Sequence, residues 1–292
     1  MTTPSASPRE TLDAESFYSK LSHLPTLIYW GIHGLALLAL FTKPSAGIIA
    51  LALAMFWVRM FAITGGYHRY FSHKTYKTSR AFQFVLALLG TTCVQKGPLW
   101  WAGIHRIHHR ESDVPGKDPH SPKDGFWYSH AGWVQDPRWE STPFREIKDL
   151  TRYPELRWLN RWHFVPPAVV GVTIYALGGW PALAWGFFLS TVVLWHSTYT
   201  INSLSHVFGS RRYETGDTSR NNPWLAILTL GEGWHNNHHH YMASTRQGFR
   251  WWELDVTYYL LRLMQTVGLV WDIREPPAHV LAQQKPAVKR AA

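Results

Sequence analysis

The sequence predicts an all-α integral membrane protein: four transmembrane helices in two hairpins, capped by a cytosolic helical domain that holds a histidine-rich site for two metal ions. Three observations carry this. Four apolar stretches pair across two short turns. The basic residues fall almost wholly on one side of those stretches. Three histidine clusters and one Asn–His pair sit in polar sequence on that same side.

The first hairpin joins residues 24–41 to residues 46–63, each an apolar run of 18 residues, across Thr42-Lys-Pro-Ser45. At 1.5 Å per residue such a helix is about 27 Å long, close to the hydrocarbon core of a bilayer. The second hairpin covers 164–199, with arms at 164–178 and 182–199 and a turn at Gly178-Gly-Trp-Pro181, where Gly and Pro interrupt the helix. Residues 82–94 are apolar but too short to span, and are placed against the bilayer surface or under the cytosolic domain. Arg59 is the one charge inside a span. It is costly there, which leaves pairing within the bundle, snorkelling and a functional role open.

The two turns carry a single basic residue, Lys43, and apart from Arg59 every other Lys and Arg falls on the opposite side. That side is therefore cytoplasmic, and every histidine cluster lies on it. A bacterial inner membrane is the expected location. Residues 1–20 are polar, lack the order of a signal peptide and are read as a mobile tail. The domain proper covers 21–280, and 281–292 is read as a loose tail.

Composition narrows the chemistry. The net charge of +10 joins no DNA- or RNA-binding motif, so no nucleic-acid partner is expected. The single cysteine, Cys93, excludes a disulfide framework, a cysteine-ligated zinc site and a built-in iron–sulfur cluster.

The clusters are His68-Arg-Tyr-Phe-Ser-His73, His105-Arg-Ile-His108-His109, Asn202-Ser-Leu-Ser-His206 and His235-Asn-Asn-His238-His239. On a helix, positions i, i+3 and i+4 share a face. Each HxxHH trio therefore points three nitrogens into one cavity, and Asn202 shares a face with His206. His68 and His73 stand about 140° apart on an α-helix. They reach different metals, or sit where the helix loosens. Nine imidazoles exceed what one zinc uses and suit two metals with open positions. Imidazole fits Zn, Cu, Fe and Ni alike. Two redox metals held by neutral nitrogens at a membrane suggest an oxygen-activating oxidase with a greasy substrate, and iron is chosen on chemistry, because attack on an unactivated C–H bond needs a high-valent metal–oxygen species.

Longer stretches around these clusters resemble the membrane fatty acid desaturase family, close to its stearoyl-CoA (Δ9) branch. They are Thr64-Gly-Gly-Tyr-His-Arg-Tyr-Phe-Ser-His73, and His105-Arg-Ile-His-His109 with Asp118-Pro-His120 and Gly125-Phe-Trp-Tyr-Ser-His-Ala-Gly-Trp133. Asn202-Ser-Leu-Ser-His206 and Gly231-Glu-Gly-Trp-His-Asn-Asn-His-His239 complete the set. The resemblance implies a di-iron centre (two Fe2+ ions) in a cytosolic cap, and an acyl chain in a bent tunnel. The implied ligands are His68, His73, His105, His108, His109, His206, His235, His238 and His239, with Asn202 reaching iron through water. His240 has no counterpart and is read as a bystander. His120 and His130 would orient ligands or bind carbonyls. Glu232 and Asp118 would accept imidazole N–H bonds or form surface salt bridges. Ala52, Phe56, Trp101 and Trp133 are candidates for the tunnel wall.

The implied activity is O2-dependent insertion of a cis double bond, expected at Δ9, into a saturated acyl chain, with O2 leaving as water. Acyl-CoA is the expected carrier and an acyl lipid the alternative. Animal acyl-CoA members carry charges just before the second cluster, where this chain reads Ala102-Gly103-Ile104. No His-Pro-Gly-Gly haem motif is present, so two electrons per turnover are expected from a separate ferredoxin, cytochrome or reductase. Lys74, Lys77, Arg80, Arg110, Lys117 and Lys123 would attract an acidic donor or a CoA phosphate, or form part of the ordinary positive-inside surplus. The competing classes are a membrane hydroxylase, which would yield an alcohol, and a metal transporter, which would place ligands at mid-membrane. A di-haem cytochrome would want single axial histidines rather than trios.

Overall fold

The computed structural model describes residues 24–283. The expectations for 1–20 and for 284–292 lie outside the described residues, while Ala278–Ala282 is helical. The described residues are mostly helical, with one ribbon of two short antiparallel strands as a departure from the all-α expectation.

Helix α1 (Leu24–Leu37) ends in a tight 3-10 turn, Leu38–Phe41. The Ser45 hydroxyl accepts from the Ile48 N–H and so caps α2 (Ala46–Phe61). From Phe61 the helix runs on without a break as a π-helical stretch, Ala62–Ser72. The apolar helix is therefore 27 residues long, Ala46–Ser72, enough to cross a bilayer. Strand β1 (Lys77–Thr78) follows, then α3 (Arg80–Thr91), capped by Ser79. Helix α3 packs on the π-helical stretch with Leu86 and Ala87 fully buried, so residues 82–94 lie under the cap.

Helices α4 (Pro98–Glu111) and α5 (Pro154–Arg161) complete the part of the cap that precedes the second hairpin. Each begins with Pro, whose missing N–H costs nothing at a first helical turn. The second hairpin is one apolar run, Val165–Val207. It comprises α6 (Val165–Leu183), a π-helical stretch Ala184–Leu189, and α7 (Ser190–Asn202). A kink at Gly179 (φ 63°, ψ −162°) divides it. That conformation is open to glycine and strained for any side chain. Two helices thus have membrane-crossing length, the second of them kinked, and residues 26–41 form a shorter apolar helix. Helices α8 (His235–His240) and α9 (Val256–Thr266) follow. Strand β2 (Val270–Trp271) then pairs antiparallel with β1 and returns the chain to the segment after His73.

Arg59 ties the two hairpins together. It is 1% exposed and has no carboxylate partner among the described residues. Its guanidinium donates to Ser190 Oγ at 2.5 Å and Thr191 Oγ1 at 2.7 Å, and Nε donates to Met55 O at 2.9 Å. Those two hydroxyls donate in turn to the carbonyls of Gly186 and Phe187. The residue pairs within the bundle and does not snorkel. Removing two charge-assisted acceptors from a buried cation should cost about 3 kcal/mol or more. Ser190→Ala/Thr191→Val should therefore lower the thermal midpoint of the purified protein in detergent, and adding Arg59→Met should recover most of the loss.

Candidate metal centre

All nine expected histidines lie on four segments that meet beneath the two hairpins. They form two groups. His68, His73, His105, His109 and His238 make one; His108, His206, His235 and His239 make the other. In each group one ring nitrogen per residue lies within 4.8 Å of all the others.

Local structure explains the division. In the π-helical stretch the backbone bonds i→i+5, as in His73 N–H to His68 O at 3.2 Å. Residues five apart are thereby stacked, and His68 and His73 reach the same group, not different ones. The trios do not point into one cavity each. On α4, His105 and His109 enter the first group and His108 the second. On α8, His238 enters the first group and His235 and His239 the second. Each trio bridges both groups and fixes their separation. Asn236 and Asn237 turn the other way and anchor α8. Asn236 accepts from the Tyr213 N–H, and Asn237 donates to Gln247 O and Glu253.

The ring nitrogens that face inward are the Nε2 atoms. His73–His105 Nε2 atoms are 2.8 Å apart, and His109 Nε2 lies 3.0 Å from those of both His105 and His238. In the second group His206–His235 and His108–His239 are 3.1 and 3.4 Å apart. On the outer side, Nδ1 of His108 meets Asp118 at 2.9 Å and Nδ1 of His239 meets Asp217 at 2.7 Å. His68 Nδ1 lies 2.5 Å from Glu232, and His206 Nδ1 contacts Thr218 Oγ1, which donates to Asp113. These partners hold the proton on Nδ1 and turn the Nε2 lone pairs inward. His108 and His239 therefore oppose two lone pairs at 3.4 Å, an arrangement a cation between them relieves.

The electrostatics agree. Burial pushes His73, His105, His109, His235 and His238 well below the usual range, with neighbouring rings adding to the effect. These imidazoles are neutral, the form that ligates metal. Burial opposes ionisation of Asp113, Asp118 and Asp217, yet the imidazole contacts and turn donors hold all three below their ordinary values, Asp113 at about 2. Burial also disfavours a charged His108, but Asp118, Asp217 and Asp113 override it and raise its proton affinity. The second group recruits positive charge. None of the three aspartates has an Arg or Lys partner among the described residues, so a divalent cation fits the donor set.

The remaining candidates are sorted by position. The His120 ring lies 4.2 Å from that of His108, tilted by 37°, and clusters with His108 and Asp118 outside both groups. His130 lies in a separate chain, accepting or donating at His196 Nδ1 (2.9 Å), which continues to His33 through His196 Nε2 (3.0 Å). His240 stacks on Tyr213 and joins neither group. Glu232 is buried between His68 and Arg69, so neither it nor Asp118 is a surface salt bridge. Asp113 and Asp217 escape sequence reasoning. Asp113 is close behind the second cluster, a usable hint; Asp217 sits in an irregular turn that no periodicity marks.

An apolar cavity of about 2560 Å3 opens onto both groups, reaching His68, His105, His108 and His235. Asn202, Trp101 and Trp133 line it, and Trp101 stacks on His105 at 5.1 Å. Ala52 and Phe56 do not. Phe56 is packed in the main core, and α2 with its π-helical extension contributes Met60, Ile63 and Thr64 to the wall. The difference is one turn of helix: the cavity follows the π-helical end near the histidines. Gln95 crosses the cavity wall, donating to Thr198 and accepting from Trp101 Nε1, each at 3.1 Å. Of the six basic surface residues, Lys74, Lys77, Arg80 and Arg110 are held in ion pairs with Asp149, Asp272, Glu155 and Glu146. Lys117 and Lys123 have no such pair among the described residues.

A sequence profile described as "Fatty acid desaturase" matches residues 43–272. The chain is 38% identical over 258 residues to an sn-2 palmitoyl-lipid 9-desaturase of Nostoc sp. (strain 36), covering 86% of this chain and 90% of that protein. It is 37% identical to an sn-1 stearoyl-lipid 9-desaturase of Anabaena variabilis, covering 89% and 97%. It is 36% identical to an acyl-CoA 5-desaturase of Anemone leveillei, covering 86% and 78%.

Outer partners of ligating histidines are worth about 10–100-fold in metal affinity. Asp217→Ala should weaken retention of one of two metal equivalents by that order in dialysis against a chelator, while His240→Ala retains both. Stripping the metal from the unaltered protein should lower its thermal midpoint, because the buried aspartates lose their counter-charge.

Proposed function

The chain belongs to the fatty acid desaturase family, and from that premise we propose that it inserts a cis Δ9 double bond into an acyl chain esterified to a membrane lipid, using two Fe2+ ions and O2. Desaturation of fatty acyl chains and an association with membranes follow from the family. One observation carries it: two groups of inward-facing imidazoles border an apolar cavity far too large for a metal site alone.

Four helical arms would enter the bilayer, the first hairpin as α1 and α2 and the second as α6 and α7 bent at Gly179, with the histidines on the cytoplasmic side. The charge asymmetry of the sequence supports that sidedness. Lipid is favoured over CoA as the carrier for two reasons. The Nostoc and Anabaena relatives bear lipid-desaturase names. The three positions before His105 are buried and uncharged, with Gly103 facing Pro143 so closely that a Cβ would stand 2.6 Å from its ring.

Bound iron would supply the reductive activation of O2 and the removal of two hydrogens from adjacent methylenes. The chain's own residues do the rest. Met60, Ile63 and Trp101 would hold the acyl chain against the histidines, so the shape of the wall decides which carbons are presented. Trp100, Ile104 and Trp133 form a buried cluster on the cavity wall and keep water out. Glu232 and Asp118 keep the proton on Nδ1 of His68 and His108, leaving both Nε2 atoms free to ligate. Two electrons per turnover would come from a separate donor.

The test is expression in a host that lacks unsaturated fatty acids, with double bonds mapped in each acyl pool. Cis Δ9 products in membrane lipids are expected, together with two iron atoms per chain. His108→Ala and His238→Ala should each abolish product and lower bound iron. An alcohol in place of the alkene would assign the chain to hydroxylation instead.

A further inference from the structure

We propose that Arg157 and Arg161 grip the phosphate diester of a glycerophospholipid at the mouth of the cavity, while one of its acyl chains runs inward to the histidine groups. The proposal rests on the desaturase reading and names the class of substrate for it.

Helix α5 (Pro154–Arg161) is two-sided. Leu156 and Leu159 are fully buried in the core. Arg157 and Arg161, one turn apart, share another face and both line the cavity that reaches the histidines. Neither has a carboxylate partner among the described residues; Arg161 lies over the Trp162 ring at 5.6 Å. Nearby polar groups are already committed. Lys96 is held by Glu140 at 3.2 Å and by the Glu140 carbonyl at 3.0 Å. Asn160 accepts from the Trp100 N–H and donates to Thr142. Arg80 is paired with Glu155. The cavity mouth therefore presents two free guanidiniums, whose planar forks match a phosphate.

Their height favours a lipid phosphate. Trp158, Trp162 and Phe164 are 49%, 41% and 51% exposed, and the apolar helix α6 starts at Val165. Exposed aromatic rings just ahead of an apolar helix mark the level of the lipid headgroups. A free thioester of CoA would place its phosphates out in water, and the buried, uncharged segment before His105 offers it no cation. A galactolipid headgroup carries no charge and would leave both guanidiniums unanswered.

The experiment is native mass spectrometry of the iron-loaded protein from a non-ionic detergent. It is titrated with distearoyl phosphatidylglycerol, with distearoyl monogalactosyldiacylglycerol, or with stearoyl-CoA. Charge-assisted hydrogen bonds to two guanidiniums should favour the phospholipid over the galactolipid by at least about tenfold. Arg157→Gln/Arg161→Gln should bring phosphatidylglycerol down to the galactolipid level and leave galactolipid binding and iron content unchanged. Equal binding of the two lipids by the unaltered protein would overturn the proposal, as would a preference that survives in the double variant. An arginine-dependent preference for stearoyl-CoA over phosphatidylglycerol would overturn it in favour of the soluble carrier. New double bonds in cells expressing the unaltered protein are scored in parallel. Their absence would sink the desaturase reading while the binding result stood on its own.

Discussion

Asp113 and Asp118 are buried and Asp217 nearly so, their carboxylates meet no Arg or Lys among the described residues, and the arrangement of the cap depends on resolving that. A buried charge without compensation is expensive, and proteins pair it, neutralise it or bind metal to it. Here each aspartate reaches a histidine through its outer nitrogen, directly or through Thr218, so the charge is passed across an imidazole to an inward Nε2. The rise in proton affinity at His108, against the sense of its burial, shows the same demand for positive charge. The first group is different. Its one carboxylate, Glu232, is already answered by Arg69, which also meets Asp255. The two groups therefore offer different fields to otherwise similar sets of nitrogens. That asymmetry sets the second group apart as the more strongly cation-seeking of the two.

Backbone geometry makes this electrostatic arrangement possible. A regular α-helix would turn His68 and His73 well apart. The i→i+5 pattern across Ala62–Ser72 removes that divergence. Its cost is poorer backbone geometry, and the stretch is held by burial of its own Tyr67 and Phe71 and by packing against α3. The split of each HxxHH trio has a related consequence. Because α4 and α8 each supply both groups, neither group can shift without the other.

Much of this was legible in the residues themselves. Imidazoles at i, i+3 and i+4 are visible as text, because helical periodicity turns spacing into direction, and all nine histidines converge. What the spacing could not carry was the division between groups, since it depends on how α4 and α8 face each other across long stretches of sequence. The π-helical stretch has no compositional mark, so spacing left two alternatives for His68 and His73, different metals or a loosened helix, and the structure follows the second. Asp217 shows the same limit: its role comes from an irregular turn brought to His239 from 22 residues away. Of the four tunnel candidates Trp101 and Trp133 do line the cavity, and the other two miss it for a simpler reason. Ala52 and Phe56 were placed by distance along a helix, and the cavity begins about one turn later.

The cavity also poses a packing problem that the polar contacts of the bundle solve. Apolar helices in lipid gain little from one another by hydrophobic burial alone, and a large void between them invites collapse, because unfilled volume forfeits dispersion contacts. The walls are instead held by directional bonds between helices. Arg59 joins α2 to α7 through Ser190 and Thr191. His33 on α1 meets His196 on α7, which meets His130 in the cap. Trp195 Nε1 donates to Cys93 O, and Trp30 Nε1 to Gln135. Such bonds fix distance as well as contact. They keep α1 and α7 on the rim of the cavity instead of in it, and so an open apolar space can border a rigid, charged metal centre.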